Sequence, residues 1–294
     1  MRIACTIEEV RAAVANARAR GKTIGFVPTM GFLHEGHLSL VRNVATAALS
    51  GRDAAEGSGT HIFIVVSIFV NPTQFGPNED FSRYPRNEER DRALLESENT
   101  DLLFLPEVEV MYPPGATTRI DAGAVARPLE GVRRPGHFEG VATVVAKLFN
   151  IVQPDIAAFG RKDAQQCAVI ERMTRDLDLP LRLVFGETIR EHDGLAMSSR
   201  NSYLSAEERA KAPVLHRALR AGEEAITHGI HEVADVEKLM HRVVIEEGGV
   251  EVDYLAVVDP LTFEAPADFD RDVLLAGAVK VGRTRLIDNI RIPR

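Results

Sequence analysis

The chain has 294 residues, 45% hydrophobic and 27% charged, an ordinary globular composition with material for one large or two moderate domains. A formal net charge of −8 argues against a duplex nucleic-acid binder with a basic surface, and no apolar run reaches the ~18 residues of a membrane span. Only Cys5 and Cys167 are available for disulfides, which excludes a disulfide framework and fits a reducing compartment.

The opening stretch, "MRIACTIEEVRAAVANARARGK", has arginines on a partly amphipathic pattern, as a transit peptide does. Glu8 and Glu9 lie inside it, however, and transit peptides are poor in acids. It reads instead as a short strand and a first helix, with Thr6 as N-cap and Glu9 completing a capping box. A cytoplasmic location is expected. "TIGFVPT" predicts a strand, "HLSLVRNVATAAL" a helix beginning near Gly36, and "HIFIVVSIFV" a strongly apolar strand. The small, polar run "SGRDAAEGSGT" (50–60) has no apolar period and predicts a surface insertion that tolerates shortening over 51–59.

"NEERDRALLESEN" reads as a polar-faced helix and "TDLLFLP" as a strand; "GVATVVAKLFNIVQ" is helical, "PDIAAFG" a strand, "KDAQQCAVIERMTRDLD" a helix and "LRLVFGET" a strand. Continuous apolar strands alternating with helices predict an α/β fold, a Rossmann-like doubly wound parallel sheet covered on both faces. Past residue 188 the pattern changes. "SAEERAKAPVLHRALRAGEEAI" and "EVADVEKLMHRVVIEEG" are helical, then "VDYLAVVD", "DVLLAGAVKVG" and "TRLIDNIRI" follow one another as strands. A first domain over 1–188 and a smaller α+β domain over 189–294 are therefore expected.

Chemistry concentrates at "PTMGFLHEGH", where a strand turns into a helix. A helix start leaves unpaired N–H groups with partial positive charge, and at the carboxyl edge of a parallel sheet that is a natural phosphate site. Gly31 and Gly36 leave room for close approach of a ligand. His34 and His37 can project to one face and donate hydrogen bonds to phosphate oxygens; solvated loop histidines are the plainer alternative. No P-loop motif is present, no G-x-G-x-x-G follows a strand, and "HEGH" is neither H-E-x-x-H nor accompanied by an obvious third zinc ligand.

Further along, Asn71 and Gln74 offer amides at a strand's carboxyl end, suited to a hydroxy acid, although Asn71-Pro72 alone would serve as a turn. Tyr84 and Arg86 are wall or surface residues nearby. Gly160 ends a strand and Lys162 opens a helix, a mobile point charge suited to phosphate. Asp163 either caps that helix or faces the ligand.

The H-x-G-H string resembles the nucleotidyltransferase superfamily that includes the class I aminoacyl-tRNA synthetases. The longer "PTMGFLHEGHLSLV" is more similar to the pantothenate synthetases (pantoate–β-alanine ligases), and "VSIFVNPTQFGPNEDFSRYPR", "RPGHFEGVATVVAKLFNIVQPD", "FGRKDAQQ", "DGLAMSSRNSYLS" and "RLIDNI" extend the resemblance over nearly the whole chain. "AMSSRN" resembles the superfamily's mobile K-M-S-K-S loop with Arg200 for the second lysine; Ser198, Ser199 and Arg200 would offer hydroxyls and a guanidinium to polyphosphate. Arg161 stands where many members have an acid, and Ala164 where many have an aromatic.

The resemblance implies a carbon–nitrogen ligase that condenses pantoate with β-alanine through a pantoyl adenylate, releasing AMP and pyrophosphate, with Mg²⁺ accompanying ATP. It implies His34, His37, Lys162 and Arg200 as catalytic. Around ATP it places these four with Met30, Gly31, Gly36, Gly160, Arg161, Asp163, Ile189, Met197, Ser198 and Ser199. Around pantoate and β-alanine it places Asn71, Gln74, His137 and Gln166, the last in preference to Gln165. A small C-terminal lid and a homodimer are also implied. Direct Mg²⁺ ligands are not readable. The nearest rival is an adenylyl- or cytidylyltransferase, which would need extra basic residues in place of the amides; a nucleotide sensor on the same fold is a non-enzyme alternative.

Overall fold

Among the described residues of this computed structural model (1–49, 62–77, 79–230 and 232–294), six parallel strands form the larger sheet. The first half runs β1 (Arg2–Ala4), α1 (Ile7–Ala19), β2 (Thr23–Thr29), α2 (Glu35–Leu49), β3 (Ile62–Ile68), α3 (Glu88–Ser97) and β4 (Leu102–Phe104). Then come the short helices α4 (Val108–Met111) and α5 (Glu130–Arg133), followed by α6 (His137–Val152), β5 (Ile156–Gly160), α7 (Ala164–Asp176) and β6 (Arg182–Gly186). The expected insertion at 50–60 lies outside the described residues.

The strand order is β1-β4-β3-β2-β5-β6, all neighbours parallel. From β2 the chain winds outward through β3 and β4 on one side, then crosses to β5 and β6 on the other. The carboxyl ends of β2 and β5 therefore adjoin where winding reverses, and that reversal opens a crevice for ligands in such sheets. Helices cover both faces, which is why strand positions such as Phe26, Val27, Val65 and Val66 are all fully buried. The capping box forms as expected: Thr6 Oγ1 accepts from Glu9 N at 3.2 Å and Glu9 Oε2 accepts from Thr6 N at 3.0 Å.

The second sheet is an antiparallel meander of β7 (Val250–Val258), β8 (Val273–Val281) and β9 (Thr284–Ile292), preceded by α8 (Ala206–Lys211), α9 (Val214–Thr227) and α10 (Val233–Glu247). The single helix expected over 205–226 is broken in two, because Pro213 cannot donate within a helix and instead starts α9. β8 alternates between two cores. Val273, Leu275 and Val279 pack with α9 and α10, while Leu274 and Ala276 join the apolar cluster built by α1, α6 and α7. Ions reinforce that joint: Glu130 of α5 takes Arg285 of β9 in two contacts of 2.7 Å, and the Tyr254 hydroxyl donates to Glu130 at 2.9 Å. Among the described residues no helix is long and apolar enough to cross a membrane.

Candidate active site

Beyond β2 the backbone turns through two positive-φ residues, Gly31 (φ 82) and Phe32 (φ 49). The buried Asp91 of α3 holds that turn, accepting from Phe32 N and Leu33 N, each at 2.7 Å. Nothing in the polar pattern of α3 distinguishes Asp91 from its acidic neighbours, so sequence reasoning missed it. A lone acid at the register of Leu95 on the buried side of the helix is the signal that could have found it. α2 begins one residue earlier than expected, at Glu35.

The two imidazoles meet at this helix start, ring centroids 4.1 Å apart. His34 Nδ1 accepts from Gly36 N at 3.2 Å, and His37 Nδ1 accepts from His34 N at 3.3 Å. With Nδ1 accepting in both, each neutral ring carries its proton on Nε2, so each keeps one N–H to offer a ligand. The two glycines have internal reasons beyond the expected room for a ligand. A Cβ at Gly36 would lie 2.9 Å from His34 Cε1, and one at Gly31 would meet Ile68 Cγ2 at 2.9 Å. Burial lowers His34 from 6.5 to about 4, helped by the Lys162 charge; burial also holds His37 well below 6.5, helped by His34 and Lys162. Both rings are therefore neutral near pH 7.

At the end of β3, Asn71 is 1% exposed and its amide is fully engaged. It donates to Gln74 Oε1 at 3.1 Å and Gly140 O at 3.2 Å, and accepts from the Tyr112 hydroxyl at 2.9 Å. Asn71 thus sits in the cavity wall, as expected of the pocket, but aims Gln74 rather than offering donors of its own. Among the described residues Gln74 Nε2 hydrogen-bonds only to Met30 Sδ, at 3.3 Å, which leaves an amide hydrogen for a ligand. His137 Nδ1 donates to Gln74 O at 2.8 Å, so its Nε2 accepts from Arg134 Nη1 at 3.0 Å; Arg134 is itself gripped by Glu79 at 2.7 and 2.8 Å. Both ring nitrogens of His137 are spent on the fold, and burial with the Arg134 charge lowers it to about 4.

These lowered histidines set a pH dependence. An unfolded histidine titrates near 6.5, whereas folded His34 and His137 titrate at about 4. Between those values the unfolded chain binds protons that the folded chain refuses, so stability complete above pH 6.5 is lost as pH falls toward 4. The melting temperature should drop from pH 6.5 to 5, before the carboxylates titrate, and a His34→Gln/His137→Gln protein should show a flatter profile. Equal slopes for both proteins in differential scanning calorimetry would contradict this assignment.

At the end of β5, Lys162 Nζ stands 3.6 Å from Asp163 Oδ1. Asp163 makes no capping bond to α7, which leaves its carboxylate at the cavity. Arg161 points away: its guanidinium lies 5.5 Å from the Phe185 ring centre and 3.1 Å from Glu187, outside the cavity lining. Of the paired glutamines, Gln165 is buried and stitched to Val125 O (3.0 Å), Pro128 O (2.7 Å) and Glu130 N (3.2 Å). Gln166 faces the cavity and makes no side-chain hydrogen bond among the described residues.

The loop after β6 closes the ring. Met197 N donates to Ile189 O at 2.9 Å, Ser198 Oγ accepts from Arg200 N at 3.2 Å, and Ser199 Oγ donates to Phe32 O at 3.2 Å. Arg200 lines the cavity with its guanidinium already paired. Its Nε and Nη2 each reach Asp80 at 2.9 Å, and its guanidinium lies 5.6 Å from the Tyr84 ring centre. Tyr84 is a wall residue, whereas Arg86 is tied to backbone oxygens outside the lining.

These loops surround a cavity of about 220 Å³ that gathers both imidazoles, Gln74, Gln166, Lys162 and the Ser198–Arg200 segment. Met30, Gly36, His137, Gly160, Ile189 and Met197 also line it; Gly31 and Arg161 do not. A larger cavity of about 590 Å³, against the small sheet, shares Lys162, Asp163, Ser198 and Arg200 but contains neither imidazole. The smaller cavity, at the winding reversal, gathers the imidazoles with Lys162, Gln74 and Gln166 and is the candidate centre; the larger one adjoins it.

Over residues 2–291 the chain matches the family described as pantoate-beta-alanine ligase. A pantothenate synthetase from Acidobacterium capsulatum is 54% identical over 301 residues, spanning 99% of this chain and 96% of that protein. One from Herpetosiphon aurantiacus is 51% identical over 291 residues and 99% of both chains. The crystal structure of pantothenate synthetase from Thermus thermophilus aligns with a TM-score of 0.89 at 47% identity over 99% of each chain. That of a pantoate-beta-alanine ligase from Francisella tularensis, complexed with beta-gamma ATP and beta-alanine, gives 0.77 at 32% identity over 99% of this chain and 97% of its own. The chain belongs to the pantoate-beta-alanine ligase family.

Proposed function

We propose that this ligase condenses pantoate with β-alanine in two ATP-driven steps within the smaller cavity. A pantoate carboxylate oxygen attacks the α-phosphorus of ATP; pyrophosphate leaves and pantoyl adenylate forms. The β-alanine amine then attacks the activated carbonyl, AMP leaves, and the amine loses a proton as the amide forms. The observation that carries this reading is the pair of imidazoles, each with Nδ1 accepting within the turn and Nε2 without a hydrogen bond among the described residues, in a cavity shared with Lys162 and Gln166.

Phosphoryl transfer depends on positioning and charge stabilisation more than on covalent help. The imidazoles donate to the departing pyrophosphate, and Lys162 supplies a full positive charge beside them. Ser198 and Ser199 add hydroxyls. Arg200 joins by exchanging the Asp80 carboxylate for a phosphate, one anion for another. Gln74, aimed by Asn71 and by His137 through its backbone, and Gln166 hold pantoate with its carboxylate in line. Val141, Val144 and Leu148 of α6 form an apolar wall that keeps water from the adenylate. His137 has no nitrogen left for use as a base, so alignment and burial carry the second step.

Mg²⁺ fits as a companion of the nucleotide. Among the described residues no cluster of three or more potential ligands forms, and Mg²⁺ in such sites is held by one or two carboxylates together with substrate phosphates. Asp163 is the carboxylate best placed to hold it, and the ion would neutralise triphosphate charge. Residues 1–188 carry the reacting groups up to Lys162 and Gln166 in this scheme, and 189–294 cover them.

The glutamine pair offers a selective check. Gln166→Ala should raise the KM for pantoate about tenfold with little change for ATP, the scale of one or two lost hydrogen bonds to a charged ligand. Gln165→Ala should lower the melting temperature and leave pantoate affinity alone; calorimetric titration showing the reverse pattern would exchange their roles. For the reaction as a whole, pyrophosphate should appear only when pantoate is present, and AMP with pantothenate only when β-alanine is added. Pyrophosphate formed from ATP and a phosphorylated alcohol instead would point to a nucleotidyltransferase, and none with any substrate to a sensor.

A further inference from the structure

Asp288 and Asn289 stand side by side on β9, buried to 5% and 9% exposure. Buried polar groups need partners, and here both sets of partners belong to the site loops. Asn289 Nδ2 donates to the main-chain oxygens of Arg161 at 2.8 Å and Lys162 at 2.9 Å, using both amide hydrogens on consecutive carbonyls of the turn that presents Lys162. Asp288 takes Arg190 in a two-point contact of 2.6 and 3.0 Å, and Arg190 also donates to Gly194 O at 3.1 Å. Arg190 follows Ile189, which pairs with Met197, so this contact fixes the base of the segment leading to Ser198–Arg200. Successive strand residues point to opposite faces, which lets neighbouring positions hold two different loops. Asp288 Oδ1 also accepts from Asn289 N at 2.8 Å, tying the two grips together.

We propose that Asp288 and Asn289 are positioning residues for the adenylation step: one strand of the small sheet sets the spacing between Lys162 and the Ser198–Arg200 segment. This rests on the reading of Lys162 as a phosphate ligand. The geometry is specific to an amide at 289, since an aspartate of the same size would set an anion against two carbonyl oxygens.

The test is a double-mutant cycle. Asn289→Ala is made in the wild-type and Lys162→Ala backgrounds, and each protein is assayed for pantoate-dependent pyrophosphate release in single turnover and for ATP affinity by calorimetry. In the wild-type background kcat/KM for ATP should fall about tenfold or more, because a misplacement near 1 Å costs up to ~10²-fold. The KM for β-alanine should stay within about twofold, and in the Lys162→Ala background the further loss should shrink to under about twofold, the non-additivity of residues acting through one another. No loss with ATP, or the same factor in both backgrounds, would overturn the inference and leave Lys162 in its role. A Lys162→Ala enzyme with unaltered ATP use would remove the underlying phosphate reading, and the inference with it. If Asn289→Ala does not fold, Asn289→Asp is taken through the same two backgrounds with the same two outcomes.

Discussion

Replacing His37 with alanine should lower pantoyl adenylate formation by about 10²-fold or more, the effect typical of one lost donor to developing charge. The expectation rests on the tautomer. His37 spends only Nδ1 on the fold, through a 3.3 Å contact from His34 N, so removing the ring costs little structure while deleting the Nε2–H that faces the cavity. His34 spends its Nδ1 in the same way, on Gly36 N, but differs in that its ring also packs on that glycine. His34→Ala should therefore lose stability as well as rate. A His37→Gln enzyme, whose amide can place an N–H near the position of Nε2, should recover part of the loss. Rapid-quench formation of adenylate at a near-normal rate in His37→Ala would refute the role.

Lys162→Ala should be comparably severe, about 10²- to 10³-fold in kcat/KM for ATP, since it removes the full charge nearest the imidazoles. It should also change the pH dependence in a known direction. Burial is the main reason both histidines resist protonation, and Lys162 adds to it. Without that charge their pKa values rise, and an imidazolium can partly replace the missing cation. Burial still holds both values low, so the ratio of variant to wild-type activity should increase as pH falls from 6.5 toward 5. A ratio independent of pH, measured with both enzymes saturated in pantoate, would mean that Lys162 and the imidazoles do not share a field.

Much of this site could be read from local patterns because its parts are local. Strand–helix alternation encodes the parallel sheet, and H-x-G-H encodes a turn whose bonds span three residues. The choice of Gln166 over Gln165 came from resemblance alone, yet adjacent helix positions point about 100° apart, and the structure turns one into the fold and the other into the cavity. The unread parts are long-range. Arg200 meets Asp80 across 120 residues, Asn289 reaches Lys162 across 127, and Asp91 reaches Phe32 across 59. No period or motif couples such positions, so the Asp80 partner of Arg200 and the outward turn of Arg161 are visible only in the folded chain. Pro213, by contrast, was visible in the sequence, and the helix break it causes could have been foreseen.

The alternation along β8 carries a mechanical consequence. Odd positions belong to one oil drop and even positions to another, so the C-terminal third cannot swing off as a hinged flap without wetting Leu274 and Ala276. Contacts at the crevice rim such as the Asp80–Arg200 pair are ionic instead, and those can exchange partners without exposing apolar surface.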